Sequence, residues 1–158
     1  MFKRDSLNLE VLLKNRLKRD FFDRHPVQVA KDLLGKILVS RVKGLTAGLI
    51  VETEAYGGRD DPASHAYRGR TSRNWPMFKR PGLAYVYVAY GLHYCLNVVA
   101  KVPSAVLVRA VEPLAGIELM VRRRGVKDIY KLANGAGKLT RAMGITTELN
   151  GYDTCTGD

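Results

Sequence analysis

Residues 83–100, LAYVYVAYGLHYCLNVVA, constrain the fold more than any other stretch of the sequence. Two runs rich in aromatic and β-branched residues alternate with a period of two and are separated by Tyr90-Gly91. This pattern predicts a β-hairpin with a tight turn. On its first strand Tyr85 and Tyr87 share a face. Tyr90 lies at the tip, where it is exposed, so burial cannot account for it.

Other stretches have the composition of strands or of short helices. Strands are predicted for KILVSRVKG (36–44), TAGLIVETEAY (46–56) and AVLVRAVEP (105–113). Helices are predicted for RHPVQVAKDLLGK (24–36), LAGIELMVRRRG (114–125) and GAGKLTRAMG (135–144), each with a glycine at its end. Strands in the middle with helices on both sides predict an α+β fold. We expect one domain, residues 1–158, with a curved, mainly antiparallel sheet (a roll or an open barrel-like sheet) flanked by helices, and a protruding hairpin.

Composition narrows the class of protein. The chain has 158 residues, of which 46% are apolar, as expected for one globular domain. No segment reaches the roughly 18 apolar residues that span a bilayer. Cys95 and Cys155 form no metal-spaced cluster, and we expect no disulfide, metal or cofactor. The charged N-terminus lacks a secretory apolar core, which leaves an amphipathic helix or a transit peptide open. We expect a monomer in a reducing compartment, either the cytoplasm with its nucleoid or a nucleus.

The charge of the chain favours a polyanionic partner. The net charge is +11 and the pI is about 9.9. Such an excess of cations usually means a polyanionic partner, and a basic surface that only keeps the protein soluble is the alternative. Residues 57–81 form a long polar loop, a length that is usually functional. Its part RGRTSRNWPMFKRPG (68–82) interleaves cations with Trp75 and Phe78, a mixture that suits a nucleic-acid backbone. These cations are Arg68, Arg70, Arg73, Lys79 and Arg80.

Polar residues stand alone among the apolar residues of the predicted strands. Alternation along residues 46–56 places Glu52, Glu54 and Tyr56 on one face, together with Ile50. Tyr87, Asn97 and Arg109 are isolated in the same way on the other strands, and His65 lies in the loop. Each has an ordinary structural explanation, such as a solvated carboxylate or an ion pair. Together they would leave buried polar groups to satisfy, which is typical of a binding site.

One family shares these stretches in the same order. The run VETEAYGGRDDPASHAYRGRTSRNWPMFKRPGLAYVYVAYGLHYCLNVV (51–99) resembles the alkyladenine (3-methyladenine) DNA glycosylases. VLVRAVEP (106–113) and NGAGKLTRAMGI (134–145) match the later motifs of that family. The resemblance runs from about residue 21 to about residue 153. Members of the family usually extend beyond NGYDTCTGD. The resemblance therefore implies that a C-terminal segment, which completes the sheet in the family, lies outside this sequence.

The resemblance implies roles for individual residues. Glu54 resembles the general base that activates water, and Arg109 resembles the group that helps to hold this water. Asn97 resembles the residue that disfavours the exocyclic amine of guanine, and Tyr90 the wedge that fills the gap in the duplex. Stacking walls around a flipped purine are implied for Tyr56, His65 and Tyr87. Contacts with DNA are implied for Arg68, Arg70, Arg73, Met77 and Lys79.

The activity implied by the resemblance is base excision. The substrate would be double-stranded DNA containing 3-methyladenine, 7-methylguanine, hypoxanthine or ethenoadenine, and hydrolysis of the N-glycosidic bond would initiate base excision repair. Extrusion is required because this bond is not accessible inside the duplex. No lysine stands at the position of the base, so we expect a monofunctional enzyme that forms no Schiff base.

Two other classes of protein remain open from the sequence. A glycoside hydrolase could use Glu52 and Glu54 as its carboxylate pair, but they would lie only about 7 Å apart at Cα, too close to flank a sugar easily. A non-catalytic nucleic-acid-binding module would keep the basic loop and the aromatics. It would not need Glu54 and Arg109.

Overall fold

The structure is a computed structural model that describes residues 7–157. Five strands form its centre. They are β1 (Ile37–Ser40), β2 (Thr46–Tyr56), β3 (Ala84–Ala89), β4 (His93–Val99) and β5 (Ala105–Ala115). All neighbours are antiparallel, in the order β1-β2-β5-β4-β3, so β1 and β3 are the two edges of an open sheet. The predicted α+β class is confirmed, as is the predicted antiparallel pairing.

Short helices flank the sheet in the chain. They are α1 (Leu9–Lys14), α2 (Arg19–Phe22), α3 (Pro26–Leu33), α4 (Ile117–Arg124) and α5 (Ala136–Met143). Pro26 begins α3, where its missing N–H costs nothing, and α4 and α5 end at Gly125 and Gly144, both with φ of 70°. The three helices predicted from the sequence are confirmed. The N-terminal stretch, for which the sequence leaves an amphipathic helix or a transit peptide open, contains the two short helices α1 and α2, and its residues 1–6 lie outside the described part.

The two faces of the sheet pack against different parts of the chain. Apolar residues of the strands, among them Val86, Leu96 and Val108, form the main core with buried residues of the helices, such as Leu33 and Leu139. None of the helices in residues 7–157 is long and apolar enough to cross a bilayer.

The opposite face packs against the polar loop. Tyr85 from β3 joins Ala66, Met77 and Leu83 in a second, smaller cluster. Tyr85 and Val86 thus point to opposite sides, as alternation requires. The loop therefore covers part of the face that the helices leave free.

A double irregularity in β2 and β5 changes which residues share a face. Ile50 pairs with Val111 and Thr53 with Val108, so each strand has two residues between these pairs. Ile50 packs in the main core, and the Thr53 hydroxyl donates to the Ala30 carbonyl of α3 at 2.9 Å. The prediction that Ile50 shares a face with Glu52 is therefore wrong, because a β-bulge interrupts the period of two.

The hairpin of β3 and β4 turns where the sequence predicts. Tyr90 and Gly91 have φ of 53° and 70°, and the Leu92 N–H donates to the Ala89 carbonyl at 3.2 Å. Positive φ at both central residues characterises a type I′ turn, whose twist matches that of the flanking strands. The side chains of Tyr90 and Leu92 project into solvent, 95% and 80% exposed.

Candidate active site

A carboxylate–guanidinium cluster lies on the face of the sheet opposite the helices. Arg109 Nη1 donates to Glu54 Oε1 at 3.0 Å, and its Nε lies 3.0 Å from Glu52 Oε1. The bulges of β2 and β5 bring these three residues together, because they turn Glu52 and Arg109 towards each other. All three side chains are partly exposed, so water reaches the cluster. Glu52 and Glu54 thus share one guanidinium.

Tyr56 completes this cluster. Its hydroxyl donates to Glu54 Oε2 at 2.7 Å, a short distance for a hydrogen bond to a carboxylate. This hydrogen bond, together with partial burial, raises the pKa of Tyr56 to about 12. The phenol therefore keeps its proton at neutral pH. The two oxygens of Glu54 are held from different sides, one by a guanidinium and the other by a phenol.

Tyr56 also lines a small cavity beside the cluster. The volume of the cavity is about 60 Å³. An apolar cavity that binds benzene measures about 150 Å³, so a purine enters this one only if its walls move apart or part of the ring lies in its mouth. The residues that line it are Tyr56, Ala63, His65, Met77, Tyr85, Tyr87, Asn97 and Ala105.

Three rings form a continuous wall of the cavity. The ring centroids of His65 and Tyr87 are 4.5 Å apart, and those of Tyr85 and Tyr87 are 5.3 Å apart. His65 Nδ1 and the Tyr85 hydroxyl are joined by a hydrogen bond of 2.7 Å. Burial, and then the positive charge of Arg73, lower the pKa of His65 below its usual 6.5. His65 is therefore a neutral ring at neutral pH, suited to stacking.

Asn97 lies at the inner end of the cavity. It is 3% exposed, and its Nδ2 donates to the Tyr85 carbonyl at 3.1 Å. This bond fixes the orientation of the amide and uses only one of its two N–H donors. Cys95, two residues before Asn97 on β4, is a buried thiol whose pKa is raised by burial.

The cation-rich part of the polar loop (residues 68–82, here called the basic loop) is held in place by one asparagine. Asn74 is 2% exposed, and its Nδ2 donates to the carbonyls of His65 and Gly69. Its Oδ1 accepts from the Thr71 N–H at 2.6 Å. Asn74 thus ties both ends of residues 65–74 together and holds His65 at the cavity.

The five cations of the loop have different surroundings. Arg80 binds Asp153 at 2.9 Å, a carboxylate it shares with Arg19. Arg73 lies 5.4 Å from the centre of the Tyr87 ring, and Lys79 lies 5.4 Å from that of Trp75. In the described part of the chain, four of the five form no salt bridge, namely Arg68, Arg70, Arg73 and Lys79.

The structure brings most of the predicted site residues together. Arg109 and Tyr56 both donate to Glu54, and Tyr56 shares the cavity with the other predicted walls. Met77, for which the resemblance implies a contact with DNA, is 1% exposed and lines the cavity instead of the loop surface. Tyr90 lies apart from the cavity, at the tip of the hairpin.

Sequence reasoning assigned no role to two residues that shape the site. Tyr85 could have been assigned, because alternation already placed it on the same face as Tyr87. Asn74 gives no such signal, since an asparagine in a polar loop is usually solvated. Within residues 7–157, no three His, Cys, Asp or Glu side chains are grouped so that they could hold a metal ion.

Comparison with known proteins gives one family. Residues 20–158 match the family described as methylpurine-DNA glycosylase. A protein from Methanoculleus marisnigri is 58% identical over 134 residues, which cover 83% of this chain and 69% of that protein. One from Methanocella arvoryzae is 51% identical over 144 residues, 88% of this chain and 72% of that protein. Both bear the name "Putative 3-methyladenine DNA glycosylase".

Proposed function

Because the chain belongs to the methylpurine-DNA glycosylase family, we propose that it excises alkylated or deaminated purines from double-stranded DNA. The substrates in this proposal are 3-methyladenine, 7-methylguanine, hypoxanthine and ethenoadenine. The reaction is hydrolysis of the N-glycosidic bond, the first step of base excision repair. One observation carries the proposal: a carboxylate held at both oxygens stands next to an aromatic cavity.

The chemical step assigns Glu54 as general base. The bond between the purine and C1′ of the sugar breaks with its electron pair leaving on the purine. Water adds to C1′, and its proton passes to Glu54. Positive charge develops on the sugar as the bond breaks, and a carboxylate nearby stabilises this charge. Arg109, whose guanidinium is 3.0 Å from Glu54 Oε1, holds the attacking water beside the base.

The leaving group differs among the substrates. A purine methylated at N3 or N7 carries a positive charge and departs as a neutral molecule. Hypoxanthine is neutral and must gain a proton during or after departure. Both kinds share the need for a base that activates water, so Glu54 serves all of them in this proposal.

Recognition rests on the rings of the cavity. Stacking a base on an aromatic side chain contributes about 1–3 kcal/mol, and a cationic purine adds a cation–π attraction. Tyr56, His65 and Tyr87 supply the rings, and the neutrality of His65 avoids repulsion of a cationic purine. The amide of Asn97 opposes the 2-amino group of guanine, which normal adenine and hypoxanthine lack. 7-Methylguanine keeps this amine, and its excision rests on the weaker glycosidic bond of the cationic purine. The burial of Asn97 and its bond to the Tyr85 carbonyl support such a fixed obstacle.

Extrusion of the base requires contacts outside the cavity. Unstacking costs a few kcal/mol, least for damaged or mispaired bases. Tyr90 fits the role of a wedge because its ring is 95% exposed on a rigid type I′ turn. The unpaired cations of the basic loop supply attraction to phosphates.

The proposed enzyme is monofunctional. Among the described residues, those that line the cavity include no lysine that could form a Schiff base. The abasic product would then be released with its strand intact.

A single-turnover assay tests this function. Duplexes that each carry one of the four damaged purines are incubated with excess protein, and released base is measured. We expect base release from at least one damaged duplex, an intact strand before alkali treatment, and no covalent adduct on borohydride reduction. Glu54→Gln should release base much more slowly. Glu112→Gln, which removes an exposed carboxylate further along β5, is the control for the lost charge.

Binding without release of base from any of the four duplexes would favour the non-catalytic module. Strand cleavage with a borohydride-trapped adduct would contradict the monofunctional reaction while leaving base excision in place.

A further inference from the structure

The phenol of Tyr56 stands in an unusual relation to the proposed base. Tyr56 and Glu54 are two residues apart on β2 and lie on the same face. Neighbouring side chains on one face of a strand have fixed relative positions, so the bond between them does not depend on a flexible loop. The same ring lines the cavity. The side chain of Tyr56 thus contacts both the proposed general base, Glu54, and the cavity proposed to hold the purine.

The carboxylate needs this second contact to be fixed. Arg109 alone binds one oxygen, and a carboxylate held at one oxygen can still rotate about its terminal bond. Arg109 is itself 45% exposed and is shared with Glu52 at 3.0 Å. The hydrogen bond from Tyr56 to Oε2 removes this rotation. Each oxygen keeps a further lone pair for the proton of water.

We infer that Tyr56 is a positioning residue that orients the Glu54 carboxylate through its hydroxyl, in addition to forming a wall of the cavity. This inference rests on the proposed function. A purine stacked on the ring would hold the ring in place, and the ring would in turn hold the carboxylate. Filling of the cavity and alignment of the base would then be coupled through a single side chain.

The protonation of Tyr56 agrees with this role. Its pKa of about 12 leaves the phenol protonated, and hence a donor, throughout the pH range in which the enzyme can be assayed. Tyr56 does not act as the base itself.

Tyr56→Phe separates the two roles, because it keeps the ring and removes only the hydroxyl. Because a hydrogen bond to a charged group is lost, we expect the single-turnover rate to fall about 10-fold or more. Affinity for damaged duplex should change little, since the stacking ring remains. Tyr130→Phe, the same change at a side chain that is 81% exposed, is the matched control and should leave both quantities unchanged.

The outcomes distinguish this inference from the proposed function. A Tyr56→Phe single-turnover rate equal to that of wild type, with Glu54→Gln inactive, would overturn the positioning role alone. Loss of affinity in Tyr56→Phe without loss of single-turnover rate would also overturn it, since only the wall would matter. Activity of Glu54→Gln equal to that of wild type would instead overturn the proposed base. Rates are measured below the melting transition of every variant.

Discussion

The salt dependence of DNA binding should separate the cations of the basic loop by their surroundings. Arg80 forms a salt bridge with Asp153 at 2.9 Å, whereas four others form no salt bridge in residues 7–157. Those four are Arg68, Arg70, Arg73 and Lys79. A cation already bound to a carboxylate releases fewer counterions when it meets a phosphate. We therefore expect the four unpaired cations to determine the slope and Arg80 to contribute little.

The magnitude follows from counterion release. Each phosphate contact contributes about −0.9 to the slope of log K against log salt, so four contacts give about −3.6. Raising the salt from about 50 to about 200 mM should then weaken binding about 150-fold through this loop alone. Replacement of all four cations by glutamine should make the slope less steep by about 3.6. Arg80→Gln should leave the slope nearly unchanged and lower the melting temperature instead.

Fluorescence anisotropy with an undamaged duplex at four or more salt concentrations measures these slopes. Undamaged DNA is used because excision does not then interfere. If the variant with all four cations replaced had the wild-type slope, the assignment of this loop to the DNA surface would be refuted. A loss of slope of about 0.9 in Arg80→Gln would refute the reasoning that its ion pair with Asp153 withholds it from DNA.

Three further predictions concern single residues. Tyr90→Ala should weaken binding to abasic-site DNA and slow excision from duplex more than from single strands, since only a duplex has a gap to fill; equal losses on both would argue against a wedge. Asn97→Ser should allow measurable excision of normal guanine while hypoxanthine excision persists, and failure to detect guanine release would contradict its role. In an NMR titration the pKa of His65 should lie below 6.5 and should rise in Arg73→Gln. Because the unfolded chain binds more protons than the folded one near this pH, the free energy of unfolding should decrease as the pH falls through 6.5.

The regular elements were predictable because they obey simple periodicities. Alternation along residues 83–100 gave both strands of the hairpin and its turn at Tyr90-Gly91. Glycine punctuation gave the ends of α4 and α5. These signals are local, and the surrounding structure does not override them.

The bulges of β2 and β5 were not predictable in the same way. A bulge adds a residue without a characteristic composition, and neither Val51 nor Arg109, the two residues without a partner in the register, marks its position as irregular in the sequence. The bulges reverse the side to which Ile50 points and turn Arg109 towards Glu52. The contact of one guanidinium with two carboxylates therefore depends on a register that only the folded sheet defines.

The polar contacts of the site also lay beyond the sequence. Alternation placed Tyr56 and Glu54 on one face, but it could not show that the hydroxyl reaches Oε2 instead of pointing into solvent. Asn74 depends on carbonyls five and nine residues away in a loop without regular structure. Such bonds are set by loop geometry, for which no sequence period exists.

Glu54→Gln tests the proposed chemistry most directly. The substitution keeps the volume of the side chain and its ability to accept from Arg109, but removes the negative charge and the proton acceptance. Loss of a general base typically costs about 10²–10⁴-fold, and lost stabilisation of the sugar cation adds to this. Glu52→Gln makes the same change at the other carboxylate on Arg109 and should cost much less, because its amide oxygen still accepts from Nε.

The decisive measurement is the ratio of the single-turnover rate of Glu54→Gln to that of wild type on a damaged duplex, with affinity and melting temperature determined in parallel. We predict a ratio of about 10⁻² or lower, with affinity for the damaged duplex retained. A ratio near one, in a variant that folds and binds like wild type, would contradict the carboxylate mechanism.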